Sequence, residues 1–112
     1  MLWFGPQTSI IVGFSDKKNP RWQEYKDTFT DGMPDSDPSL VPPAGLFQPT
    51  RGFGLVWRGK AGVRDRLGWA TTPEQPYTAA LQVDLDGNRY IQGPQGEVYE
   101  LAANFKSWRL YQ

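Results

Sequence analysis

Two Trp-x-x-Tyr elements stand near the ends of the chain, Arg21-Trp22-Gln23-Glu24-Tyr25 and Ser107-Trp108-Arg109-Leu110-Tyr111. Indole and phenol rings present flat apolar faces on which the C–H surface of a sugar packs, while their polar tips hydrogen-bond its hydroxyls. Mixed with charged and amide neighbours, Trp22, Tyr25, Trp108 and Tyr111 are the candidate ligand-binding residues. The same kind of ring also fills the core of a small domain, the ordinary role for any single one of these four or of Trp3, Trp57, Trp69, Tyr90 and Tyr99.

Other chemistries fare less well. The 112 residues contain neither histidine nor cysteine, which removes the commonest general base, the commonest transition-metal ligand and every thiol nucleophile. Asp27, Asp31, Asp35 and Asp37 share a loop with Gly32, and calcium takes oxygen ligands from such loops. Their spacing fits no EF-hand, and aspartate before proline or serine is turn and capping chemistry, so no metal is expected. Glu74 can be paired on paper with one of these aspartates for glycoside cleavage, but no spacing fixes two carboxyls across a cleft. Arg64-Asp65-Arg66 reads as a surface salt-bridge run. Gly52-Phe53-Gly54 lacks the further glycine and the Lys-Ser/Thr of a phosphate loop. The chain is read as non-enzymatic and without a cofactor.

Twelve Lys and Arg balance twelve Asp and Glu, so no long-range field gathers nucleic acid or an anionic membrane. Met1-Leu2-Trp3-Phe4 is too short for a signal peptide's apolar core, and no run approaches the roughly 20 apolar residues of a membrane span. Neither nucleic-acid binding nor membrane insertion is expected.

The elements that must position these residues are short. Twelve glycines and ten prolines leave little room for long helices. Strands are expected over residues 9–14, 53–57, 77–85, 89–92 and 97–101, rich in β-branched or aromatic residues. Asp86-Gly87 is expected to supply both positive-φ residues of a two-residue hairpin turn. Residues 60–67 allow one helical turn or a short helix, with Val63 and Leu67 at i, i+4 spacing. Residues 31–49, with five prolines, are expected to form a stiff connecting strap.

The ends repeat. Gly5-Pro6-Gln7, Ile10-Ile11-Val12, Trp22 and Tyr25 are matched in order by Gly93-Pro94-Gln95, Val98-Tyr99, Trp108 and Tyr111, with two residues fewer in the second copy. Copies at about 1–26 and 87–112 predict small meander units sharing one core in a single domain.

Arg66-Leu67-Gly68-Trp69-Ala70-Thr71-Thr72-Pro73-Glu74 resembles the LGFP repeat of bacterial cell-wall-associated and secreted proteins. Leu67, Gly68 and Trp69 match its opening, Thr71 and Glu74 its Thr-x-x-Glu, and Gln82, Gly87 and Tyr90 follow in order; Ala70 stands where the family has proline. Leu2-Trp3-Phe4-Gly5-Pro6 is similar to the family's Tyr-Trp-Ser-Pro strand end. The resemblance implies a propeller-blade-like meander architecture, an extracellular or cell-surface location, and attachment to or recognition of the cell envelope.

The expectation is therefore an all-β domain of small antiparallel meander units that binds cell-envelope or other polysaccharide without catalysis. The rival is a structural subunit that self-associates into homo-oligomers through its repeated termini; a small glycan-active enzyme is a third reading.

Overall fold

The computed structural model describes residues 2–5, 9–74, 81–93 and 95–111. Two antiparallel sheets and two short helices account for the regular structure among them. The N-terminal sheet runs β1 (Leu2–Gly5), β2 (Ser9–Gly13) and β3 (Trp22–Lys26) in chain order. Helices α1 (Arg51–Gly59) and α2 (Val63–Leu67) follow. The C-terminal sheet runs β4 (Leu81–Val83), β5 (Arg89–Gln92), β6 (Val98–Leu101) and β7 (Trp108–Leu110). The body is mostly β as expected, in two open sheets, neither closing into a barrel or a propeller.

Strand β2 organises the layers. Successive strand residues point to opposite faces, and Ser9-Ile10-Ile11-Val12 is apolar on both. Ile10 and Val12 pack with Phe14, Val56, Trp57 and Val63 in a core beneath the helices. Ile11 joins Trp3, Trp22, Ile91 and Leu101 in a second core between the sheets. The molecule is thus layered as helices, N-terminal sheet, C-terminal sheet, with β2 buried on both sides.

The strand expected over 53–57 is instead the middle of α1. Phe53, Val56 and Trp57 fall at i, i+3 and i+4, one face of a helix rather than alternate positions of a strand. Glycines within a helix cost about 1 kcal/mol each against alanine, and here they permit close packing: a Cβ on Gly54 would meet the Pro49 carbonyl and one on Gly52 the Asp27 carboxylate. The helical turn expected in 60–67 is α2. Between β3 and α1 the chain runs through successive turns, and Gln48 ties them together, its amide nitrogen donating to the carbonyls of Asp37 and Leu40 and its oxygen accepting from the Asp37 N–H, each at 2.9 Å.

The β4–β5 hairpin is where Asp86-Gly87 placed it, but its loop has three residues. The Asp84 N–H donates to the Asn88 carbonyl, the Gly87 N–H returns to the Asp84 carbonyl, and only Gly87 has positive φ, so the turn is a tight one followed by a left-handed glycine. The next two turns repeat the device. Gly96 occupies the left-handed position after Gly93, and Phe105 occupies it after Ala102. The Tyr77 end of the strand expected over 77–85, together with Pro6-Gln7 and Pro94, lies outside the described residues.

The two sheets carry one register. Gly5 pairs with Ser9, and Gly13 with Trp22; the Gly93 N–H donates to Glu97, and Leu101 pairs with Trp108. Phe14 N–H donates to the Arg21 carbonyl as Ala102 N–H does to Ser107. The tryptophans opening β3 and β7 reach across reciprocally: the Trp22 indole donates to the Ala102 carbonyl and the Trp108 indole to the Phe14 carbonyl, both at 2.7 Å.

Candidate functional site

The four residues expected to bind ligand do not meet. Positions i and i+3 of a strand point to opposite faces, so each Trp-x-x-Tyr element is split by the sheet that contains it. Trp22, 1% exposed, lies between the sheets, its ring 4.5 Å from Phe105 and under the Arg89 guanidinium at 5.5 Å. Trp108 is partly buried in the same core, 5.7 Å from Trp3 and 6.0 Å from Tyr99. Gly13 is the floor of that cluster: a Cβ there would lie 3.0–3.1 Å from the rings of Trp108 and Trp3. Tyr25 faces the helices, packed on their core with the Lys60 ammonium 5.8 Å from its ring, and burial pushes its phenol pKa up. Tyr111 alone of the four is exposed, at 48%. An exposed ledge made of both Trp-x-x-Tyr elements is therefore excluded; Trp22 and Trp108 are fastenings between sheets.

Tyr111 leads to the face of the C-terminal sheet that points away from the core. On it, Gln82 pairs with Tyr90, Tyr90 with Glu100 and Glu100 with Arg109, a single row crossing all four strands. Tyr111 continues β7, its ring 5.1 Å from Tyr90 in an edge contact and 5.5 Å from the Arg109 guanidinium. The Arg109 Nε donates to Glu100 Oε1 at 2.9 Å, while 64% of the arginine side chain stays exposed.

The Tyr90 hydroxyl lies 2.9 Å from Glu100 Oε2 and 3.1 Å from Asp84 Oδ2, and its one proton serves one carboxylate at a time. Glu100 foremost, then burial and Asp84, hold the phenol protonated well above its ordinary range. The Arg109 guanidinium, then the Tyr90 hydroxyl, hold the Glu100 carboxyl below its ordinary value. For Asp84 burial works upward, but the Asn88 backbone and side chain, Tyr90 and the Asp86 N–H together outweigh it and lower the pKa. Both carboxylates are thus kept ionised, as hydrogen-bond acceptors. Gln82, Tyr90, Glu100 and Arg109 were missed as a group because strand register, not sequence spacing, aligns them.

The other candidates resolve into structure. The Asp27 carboxylate accepts the Phe29 N–H at 2.9 Å, and Asp37 accepts the Ser39 N–H and hydroxyl at 2.9 and 2.6 Å, as turn-capping residues do. Among the described residues no group of three or more acidic side chains could hold a metal ion. No helix there is long and apolar enough to cross a membrane. Arg66 binds Asp16 through two nitrogens, both at 2.7 Å, and lies 3.7 Å from the centre of the Phe14 ring. Leu67-Gly68-Trp69 ends α2 and closes the helix-side core. The Trp57 indole donates to the Gly68 carbonyl at 2.8 Å, and the Trp57 and Trp69 rings are 5.3 Å apart.

Comparison with models of known protein families, with curated proteins and with solved structures finds no match to this chain.

Proposed function

We propose that this chain is a non-catalytic binding module for cell-envelope or other polysaccharide, acting outside the cell, and that its ligand lies on the uncovered face of the C-terminal sheet. The observation that carries the reading is the exposed Tyr111 ring beside Tyr90, bordered by Glu100 and Arg109. Rings for C–H faces and charged groups for hydroxyls are what a sugar site needs. Sugar cleavage by paired carboxyls asks for one held protonated as the general acid; Glu100 and Asp84 are both shifted the opposite way. The extracellular location rests on the resemblance of residues 66–74 to LGFP repeats.

We read residues 1–26 and 87–112 as two copies of one meander unit, blade-like in form, bridged in part by the proline-rich strap 31–49. The shared register and the reciprocal tryptophan bonds support this. In this reading one copy is covered by helices and the other left open to ligand.

Affinity electrophoresis through gels cast with a panel of polysaccharides tests the binding role. Retardation by at least one of them, lost in Tyr111→Ala with the fold intact by circular dichroism, is the expected result; free migration through all of them overturns it. A second reading, self-association, draws on Val83 and Leu110, each about 60% exposed on the outer strands β4 and β7. Light scattering that finds only monomer at high concentration removes it.

A further inference from the structure

We infer that the ligand of this face is an electrically neutral saccharide chain of several units, lying across the strands along Gln82, Tyr90, Glu100 and Arg109 and over the Tyr111 ring. The inference rests on the binding-module reading and adds the class of sugar and its direction.

Charge decides the class. The face holds two carboxylates, Asp84 and Glu100, against one guanidinium, and that guanidinium is already engaged by Glu100. A uronate, sulfate or phosphate on the ligand would have to compete with Glu100 for Arg109 while approaching two like charges, which is unfavourable wherever solvent is displaced. Neutral hydroxyls meet no such penalty. A hydroxyl donates to an ionised carboxylate and accepts from a guanidinium or amide, so it fits between Glu100 and Arg109 or beside Gln82 without either group giving up its charge.

Geometry decides the direction and length. The four side chains lie in one cross-strand row, and three gaps of about 4.8 Å give a platform roughly 14 Å long, longer than one sugar ring. It runs perpendicular to the strands. Tyr90 is held between Glu100 and Asp84, so the middle of the platform is fixed before ligand arrives, which lowers the ordering cost of binding.

A protein helix is the other natural cover for an open sheet face, and the N-terminal sheet shows what that requires. There the corresponding positions are Leu2, Ile10 and Val12, which pack into the core beneath α1 and α2. On β5 and β6 they are Tyr90, Val98 and Glu100, of which only Val98 is aliphatic. A helix laid on this face would bury Glu100 and Arg109 for little apolar gain.

The test uses the full chain in affinity electrophoresis against a neutral glucan, a neutral mannan and polygalacturonate, with wild type, Tyr111→Ala, Arg109→Ala and Glu100→Gln. Retardation of the wild type by a neutral polysaccharide and not by polygalacturonate is expected, with affinity falling about tenfold in Tyr111→Ala and Arg109→Ala. Glu100→Gln, which frees Arg109 and removes one like charge, should gain polygalacturonate retardation that the wild type lacks. Retention of the wild type by polygalacturonate, alone or equally with the neutral polymers, overturns the neutral-chain inference and leaves the binding module standing. Neutral binding that survives both Tyr111→Ala and Arg109→Ala moves the site elsewhere and overturns the placement. No retention by any of the three, nor by the wider panel, takes down the binding module itself.

Discussion

Val12 and Glu100 occupy matching places in two meanders of the same register. Each is on a middle strand, one residue before the position that pairs with a tryptophan. Val12 is fully buried beneath the helices; Glu100 faces away from the core, between Tyr90 and Arg109. Strand pairing therefore does not decide which face of a sheet is covered. The side chains decide it: Leu2, Ile10 and Val12 leave an apolar surface that α1 and α2 must cover, whereas Tyr90, Glu100 and Arg109 make a surface stable in water and able to hold a polar ligand.

Exchanging the two residues breaks the comparison most sharply. Val12→Glu places a carboxylate in the helix-side core, among Ile10, Phe14, Val56, Trp57 and Val63. The cost should reach about 4 kcal/mol or more, a large part of the ~5–15 kcal/mol that holds a domain folded. Urea denaturation should show a protein largely unfolded or with a much lowered midpoint. The mirror change, Glu100→Val, should alter stability by no more than about 1 kcal/mol while reducing polysaccharide retention. Equal costs for the two changes would mean that the faces do not differ as described.

A middle-sized effect separates what the sheets share from what distinguishes them. Trp22→Phe and Trp108→Phe each remove one indole donor and leave a carbonyl, of Ala102 or Phe14, without that partner. Each should cost about 1–3 kcal/mol in chemical denaturation. Trp3→Phe is the control, since the Trp3 indole nitrogen is buried with no hydrogen-bond partner among the described residues; losing it should cost less than either. A cost confined to Trp22 would show that the exchange holds the sheets from one side only.

Much of this arrangement can be read from residues alone, and the parts that cannot have physical reasons. The unbroken apolar run in β2 announces a strand buried on both faces, and the Asp84 to Asn88 turn announces its hairpin. The β-branched and aromatic runs at 9–14, 89–92 and 97–101 announce strands, and each lies in an antiparallel sheet. Helix α1 is obscured by composition: its glycines and aromatics suggest strand and turn, although Phe53, Val56 and Trp57 carry helical spacing. The split of Trp22 from Tyr25 follows from the two-residue period of any strand, so reading them as one ledge ignores a constraint already present in the sequence. The row from Gln82 to Arg109 is different. It draws one residue from each of four strands, and only the pairing register brings them into line.

The smallest expected effect concerns the loops that follow the two middle strands. After β2 the loop carries Asp16, locked by two bonds to Arg66 of α2, with Arg66 also donating to the Lys18 carbonyl. The Arg66 hydrogen bonds hold the Asp16 carboxyl well below its ordinary 3.8. A carboxyl whose pKa is lowered by folding stabilises the native state above its ordinary value, and that contribution is lost as acid begins to protonate it. The melting temperature of the wild type should thus fall between about pH 5 and about pH 2. Asp16→Asn should start lower at neutral pH and fall less steeply, keeping only the slope due to Asp37, Asp84 and Glu100, whose pKa values are also lowered. The loop after β6 makes its contacts differently, through Phe105 packed at a tilt against Trp22 and its carbonyl accepting the Arg21 N–H, and none of those groups titrates in acid. Asp16→Asn with an unchanged acid slope would place the acid-sensitive link elsewhere, at Asp37, Asp84 or Glu100.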